Sequence, residues 1–257
     1  MTAFLVVTAA LFGLVVGSFL NVVIYRVPRK ESVSTPRSRC PHCGTQLAAR
    51  DNVPVLSWLL LRGRCRTCRT AIAPRYPLVE AGTGVLFAVV AARLHDDAAA
   101  LPAFLVLAAA CLAISLIDFE HFIVPNRIVY PTLFLMAPLF LAAAVVDGDW
   151  SSLRGAALGG VLGFGILFVI HVISPRGMGF GDVRLAGLLG VALGWLDLGH
   201  VLLGLFLGFL TASVVSVALI ASKRRTRKDR VPFGPFLAVG AFLALLVGEP
   251  ILRWYGV

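Results

Sequence analysis

The sequence predicts an all-α polytopic membrane protein of six or eight transmembrane helices, with a small cytoplasmic four-cysteine, zinc-ribbon-like insertion after the first helix. Three observations point there. Of 257 residues, 59% are hydrophobic and only 14% charged, against about 25% charged in ordinary soluble domains. Stretches of 19 or more nearly uncharged residues recur, which is the length a bilayer requires. Two Cys-x-x-Cys pairs, 21 residues apart, lie in the loop behind the first of these stretches. A soluble globular domain does not fit, and the unit to count is the span.

Residues 3–24 are apolar, lack a basic n-region and are followed by positive charge, so they read as an uncleaved first span with the N-terminus outside. Residues 25–76 carry 11 basic and two acidic side chains. In a soluble protein such a cluster would suggest nucleic acid, but beside long apolar runs it reads as a cytoplasmic loop. Residues 98–117, 128–146, 155–173, 198–221 and 233–251 are five further strong spans. Two candidates are weaker: 77–92 is short with Glu80 near its start, and 183–196 has 14 residues with Arg184 near one end. Either could be a buried or re-entrant helix. Pro102, Pro131 and Pro138 are tolerable inside membrane helices, while Gly13 with Gly17, Gly155 with Gly159, and Gly204 with Gly208 have the spacing of close helix contacts.

The run KRRTRKDR at 223–230, six basic side chains to one acidic, is a second cytoplasmic stretch. If both basic stretches face the cytoplasm, the number of spans is six or eight. Asp118 and Asp182 share one face either way, cytoplasmic with eight spans and external with six. Charge leaves that choice open. The organisation that follows is a first transmembrane helix (1–24), a basic loop with the cysteine subdomain (25–76), and a transmembrane core (77–257).

Cys40, Cys43, Cys65 and Cys68 have the spacing of a zinc site. Each pair on a tight turn offers two thiolates, and two turns complete a tetrahedron with Zn–S distances of about 2.3 Å. Pro41 and Gly44 suit the first turn. The gap between pairs is slightly longer than the usual range of about 15–20 residues, which a middle loop would absorb. Two disulfides or a redox pair would belong to an oxidising compartment, whereas the basic surroundings place this loop in the reducing cytoplasm. Four thiolates leave no open coordination position, so the role is structural. Cys111 lies within a span and reads as a packing residue, and His42 as a solvent-facing imidazole, with substitute ligand as the alternative.

Asp118, in SLIDFEHFIVPN, ends one span, and Asp182, in GMGFGDVRLAG, opens another. A carboxylate at a membrane boundary is a functional candidate. Asp147, Asp149 and Asp197 read instead as charges marking helix ends. Gly177, Gly179 and Gly181 before Asp182 allow close backbone approach and positive φ. No Gly-Lys-Ser/Thr ending follows, so a phosphate loop is rejected. Two aspartates brought together can share one proton and divide the roles of base and acid in hydrolysing an amide through water. Their helix dipoles suggest that Asp182, at a helix N-terminus, is the anion, and that Asp118, at a C-terminus beside Glu120, holds the resting proton.

These motifs resemble the bacterial prepilin leader peptidases, the type IV prepilin peptidases of the GxGD aspartyl protease group. The resemblance runs nearly end to end, through GSFLNVVIYRVP at 17–28, SRCPHCG at 38–44, DNVPVLSWLLLRGRC at 51–65, RYPLVEAGTG at 75–84, GMGFGD at 177–182 and VPFGPFLAVG at 231–240. It implies eight helices in the bacterial inner membrane with an active site facing the cytoplasm. It also implies catalytic roles for Asp118 and Asp182, Gly179 and Gly181 being the glycines of the GxGD element. Asp118 is followed by Ile123, Val124 and Pro125 as in the family, but Asn126 stands where the family often has Asp. Members cleave the basic leader from prepilin and pseudopilin precursors, and those with the cysteine loop commonly methylate the new N-terminus with S-adenosylmethionine. A basic leader must approach a basic protein face, so local acids are needed there. Asp51, Glu80 and Glu120 are the candidates, unless they pair with neighbouring Arg. Two other classes compete: a transporter with functional carboxylates, and a membrane-anchored zinc-ribbon adaptor.

Overall fold

The computed structural model describes residues 2–175, 177–223, 226 and 231–254. Most of the basic run at 223–230 lies outside the described residues, as does Arg176. Among those described the regular structure is helical, apart from two isolated β-bridges. The chain divides into two compact units, Met1–Asp96 and Asp97–Val257.

In the first unit, α1 (Thr2–Arg26), the short α2 (Leu56–Leu60) and α3 (Arg75–Arg93) frame the loop. The weak candidate at 77–92 is thus a 19-residue helix. α1 and α3 run antiparallel with their backbones in contact. Gly13 faces Thr83 and Gly84, and Gly17 faces Glu80 and Thr83, where an added Cβ would lie 2.7 Å from Glu80 Cα. One turn further on, the Asn21 side-chain amide donates to the Tyr76 carbonyl at 3.1 Å. Each step of four along α1 is answered by a step of four back along α3. Small residues remove the side-chain layer that would otherwise separate the helices.

The second unit holds α4 (Leu101–His121), α5 (Asn126–Asp147), α6 (Trp150–Ile173), α7 (Phe180–Leu196), α8 (Leu198–Ala221) and α9 (Gly234–Trp254). α4 is the enclosed helix, its Ala103, Phe104, Ala108, Ile114 and Ile117 essentially inaccessible. Phe104 meets Phe140 edge-on at 5.6 Å and Phe140 stacks on Trp195 at 4.7 Å. The Trp195 indole donates to Asp97 Oδ2 at 2.8 Å, which satisfies its N–H as burial demands. α6 and α7 are joined by a ladder of small residues. Gly155 opposes Gly194, Gly159 opposes Gly190 and Gly163 opposes Ala186, with carbonyl oxygens 2.3–2.5 Å from where a Cβ on the α6 glycines would stand. Gly204 and Gly208 of α8 meet Gly240, Ala241 and Leu237 of α9 in the same manner. All three glycine pairs therefore lie in helix contacts.

Among the described residues, seven helices are long and apolar enough to cross a membrane, all but α2 and α7. α7, the weak candidate at 183–196, has 17 residues and is about 25 Å long at 1.5 Å per residue, the lower limit for a span. Pro102 falls in the first turn of α4, where no hydrogen bond is lost, while Pro131 and Pro138 are interior to α5. The aspartates read as helix-end charges behave so: Asp149 caps α6 through the Ser151 and Ser152 amides, and Asp197 caps α8 through the Gly199 amide.

Candidate active site

Asp118 lies in the last turn of α4, on the same buried face as Ile114 and Ile117, and is only 4% exposed. The helix ends just beyond it, with Phe122 in the left-handed region (φ 54°) and its N–H bonded to the Asp118 carbonyl at 2.9 Å. The chain then turns through Ile123, Val124 and Pro125 into α5. Asp182 is the third residue of α7 and 9% exposed. Its N–H bonds to the carbonyl of Gly179, the N-cap of α7, at 3.1 Å. Two carboxylates buried this deeply need compensation.

One compensating group is the backbone N–H of Gly234, the first residue of α9, which donates to Asp118 Oδ2 at 3.0 Å. Val124 links the two aspartates. Its side chain packs on Gly181, beside Asp182, at 2.9 Å from the position of a Cβ, and on Gly234, beside Asp118, at 3.5 Å. The Asp118 carboxylate acts electrostatically on Asp182. The pair singled out from sequence is thereby assembled around one valine, with a glycine on each side.

The GMGFGD segment departs from the sequence reading in one respect. None of Gly177, Gly179 and Gly181 has positive φ; the positive-φ glycines among the described residues are Gly44, Gly63 and Gly148. The first three supply space instead. Gly181 admits Val124, a side chain on Gly179 would stand 3.4 Å from Asp182 Oδ2, and one on Gly177 would stand 2.8 Å from Ser174 Oγ. The segment is also held from α6, where His171 Nδ1 lies 2.8 Å from the Met178 carbonyl oxygen and its ring packs on Phe180. One turn into α7, the Arg184 guanidinium covers the Phe180 ring at 4.5 Å and donates to Asn126 Oδ1.

The dipoles acting on the aspartates are more than the sequence shows. Besides the helix that carries it, Asp118 faces the N-terminus of α9 through Gly234. Asp118 therefore meets both the C-terminus of α4 and the N-terminus of α9, whose dipoles act on it in opposite senses. Gly234 and His171 escaped sequence reasoning because their partners are supplied by tertiary structure, in the case of Gly234 from 116 positions away.

The other acids fall into place individually. Asp51 pairs with Arg66 at 2.7 Å, which holds its carboxyl below the usual carboxylate range. Glu80 Oε2 accepts the Val55 N–H at 2.7 Å. Glu120 is the penultimate residue of α4, with its carboxylate 4.0 Å from the His121 imidazole.

The four loop cysteines form two copies of one turn. In the first, Cys40 N–H bonds to the Thr45 carbonyl and Gly44 N–H to the Cys40 carbonyl; in the second, Cys65 N–H bonds to Thr70 and Arg69 N–H to Cys65. Gly44 (φ 71°) and Arg69 (φ 59°) occupy the same left-handed position. The four Sγ atoms lie within 4.8 Å of one another, with Cys40 and Cys68 Sγ 3.8 Å apart. That separation is the edge, about 3.8 Å, of a tetrahedron with metal–sulfur bonds of about 2.3 Å. The Thr70 hydroxyl and amide bring the Cys68 thiol down to about 6, and Thr45 lowers that of Cys43, which favours the thiolate that binds metal. None of these cysteines is in a disulfide. The donor set and spacing fit a metal ion. His42 is exposed and outside the cluster, and Cys111 is buried in α4.

Comparison with known families places this architecture. The model of the type IV leader peptidase family matches residues 105–221, and that of the bacterial Peptidase A24 N-terminal domain matches residues 11–94. The chain is 36% identical to a prepilin leader peptidase/N-methyltransferase of Aeromonas hydrophila over 95% of this chain and 91% of that one. A protein of the same description from Burkholderia pseudomallei is 38% identical over 96% and 87%, and one from Pseudomonas putida 36% identical over 97% and 93%. The chain belongs to the prepilin leader peptidase/N-methyltransferase family. That membership sets aside the transporter and adaptor alternatives. No solved structure matches it.

Proposed function

We propose that this protein is a membrane-embedded aspartyl endopeptidase that removes the basic leader from type IV prepilins and pseudopilins at the cytoplasmic face of the bacterial inner membrane, and then N-methylates the new N-terminus. The observation that carries the reading is the pair of buried carboxylates, Asp118 and Asp182, gathered around Val124 between Gly181 and Gly234. The family, and the names its members carry, support the substrate class and the second activity.

In this mechanism one carboxylate of the pair takes a proton from water as the water oxygen attacks the scissile carbonyl carbon. The other carboxyl gives its proton to the carbonyl oxygen, so a neutral tetrahedral diol forms. When the C–N bond breaks, the leaving nitrogen takes the proton from the first carboxyl and a diol hydroxyl returns its proton to the second, restoring the pair. The Gly234 N–H holds the Asp118 carboxyl in position throughout, and burial strengthens every one of these interactions. Glu120, two residues beyond Asp118, meets the positive charges of the leader. Gly177, Gly179 and Gly181 keep the backbone beside Asp182 free of side chains.

We assign zinc to Cys40, Cys43, Cys65 and Cys68, where it fixes the two turns together and takes no part in hydrolysis, since four thiolates close its coordination shell. S-adenosylmethionine supplies the methyl group for the second step. The test is the intact mass of a pilin-like precursor coexpressed with wild type, Asp118→Asn or Asp182→Asn. Leader loss with wild type alone is the expected result, and an added methyl mass reports the second activity. Leader removal by either variant would overturn the assignment.

A further inference from the structure

We propose that α2 is an interfacial anchor: Leu56, Leu59 and Leu60 insert into the headgroup–acyl boundary of the same bilayer that α1 and α3 cross, and so hold the four-cysteine subdomain against the membrane surface. Leu56, Leu59 and Leu60 lie on one face at i, i+3 and i+4 and are 52%, 58% and 74% exposed. The opposite face is occupied. Ser57 is buried, its hydroxyl donating to the Arg50 carbonyl and accepting the Val53 N–H. The Trp58 indole donates to the Ile72 carbonyl at 3.0 Å, and its ring lies under Gly63, where a side chain would stand 2.8 Å away. The leucine face therefore cannot turn inward without breaking these contacts.

What covers that face follows from where α2 is tied. The Val55 N–H, at the entry to α2, donates to Glu80 Oε2 at 2.7 Å. Glu80 is the sixth residue of α3, and α3 has only 19 residues, about 28 Å of helix against a hydrocarbon core of about 30 Å. A helix that short uses nearly its whole length to cross, so Glu80 lies about 8 Å in from the end of α3, within the roughly 5–10 Å depth at which interfacial helices bury their apolar face. The Asn21 bond to Tyr76 fixes α1 at a similar level, five residues before its own end at Arg26. α2 is consequently held at the depth of the interface. There an apolar face is stable in acyl chains, with neighbouring cations directed at headgroup phosphates. Arg62 and Arg64, both exposed, follow the leucines directly.

The experiment places a photoreactive diazirine amino acid at position 60, and separately at position 56, of the full-length protein in proteoliposomes containing anionic phospholipid and a pilin-like precursor. After illumination, intact mass is read. The proposal expects a mass shift of one phospholipid from either position. Reaction with water alone at both positions would overturn it, as would a precursor adduct in place of the lipid adduct, which would make the leucine face a substrate dock. Because no cleavage is read, a negative result here is distinguishable from failure of the peptidase reading.

Discussion

Replacing Gly234 with alanine tests whether Asp118 depends on the first amide of α9. The new methyl would stand 3.0 Å from Asp118 Oδ2, closer than the roughly 3.5 Å that carbon contacts prefer. The backbone there cannot retreat easily, because the Phe236 and Leu237 amides already bond to the Phe233 carbonyl. The carboxylate must therefore move by about 0.5 Å, which stretches its 3.0 Å bond from the Gly234 amide beyond the usual hydrogen-bond limit of about 3.2 Å. A hydrogen bond to a charged group contributes about 1.5–3 kcal/mol, and each 1.36 kcal/mol is a factor of ten in rate, so kcat should fall by about 10- to 150-fold. The assay is precursor cleavage in proteoliposomes, followed by mass, with elution and melting checked against wild type. Gly165→Ala is the control, since nothing lies within 4 Å of its added methyl. A correctly folded Gly234→Ala protein with unchanged kcat would refute the reasoning.

Four further outcomes are expected. Arg69→Gly should relieve a left-handed residue and improve metal retention against a chelator by about fivefold, the equivalent of about 1 kcal/mol, while Gly44→Ala should weaken it; equal retention would count against the paired-turn description. Gly159→Ala must part α6 from α7 by about 1 Å and should cost about 1–3 kcal/mol, read as a lower melting temperature in detergent than for Gly165→Ala. Ser151 and Ser152 hold Asp149 at about 2, below its ordinary 3.8, so its capping contribution is complete above about pH 4 and disappears as pH falls through about 2. Asp149→Ala should therefore melt below wild type at neutral pH, with the gap closing over that acid range. Glu120→Gln should slow cleavage of the most basic leaders selectively; equal rates for basic and neutralised leaders in both proteins would exclude that role.

The sequence disclosed the spans because each depends on local composition and length, and even the doubtful 77–92 and 183–196 are helices, extended to Arg75–Arg93 and Phe180–Leu196. The cysteine cluster was equally legible, since ligand spacing is itself a local property. What could not be read was any group recruited across the fold. Gly234 gave no sign that its amide serves Asp118, and Val124 looked like one half of a hydrophobic pair rather than the filler between two aspartates. The α9 dipole at Asp118 was missed for the same reason, because it is invisible from the segment around Asp118. Glycine was read as backbone freedom at 177, 179 and 181, where the structure uses it as room for Val124 and the Asp182 side chain.

The ladder between α6 and α7 has a mechanical consequence. Gly155, Gly159 and Gly163 are one turn apart and mesh with Gly194, Gly190 and Ala186, also one turn apart. Intermediate positions would drive backbone into side chains, so the helices can slide only in jumps of about one pitch, 5.4 Å. A single such jump would carry Asp182 by about 5.4 Å along the helix axis and remove Gly181 from Val124. The ladder thus sets the axial register of α7 against α6, and with it the height at which Asp182 stands.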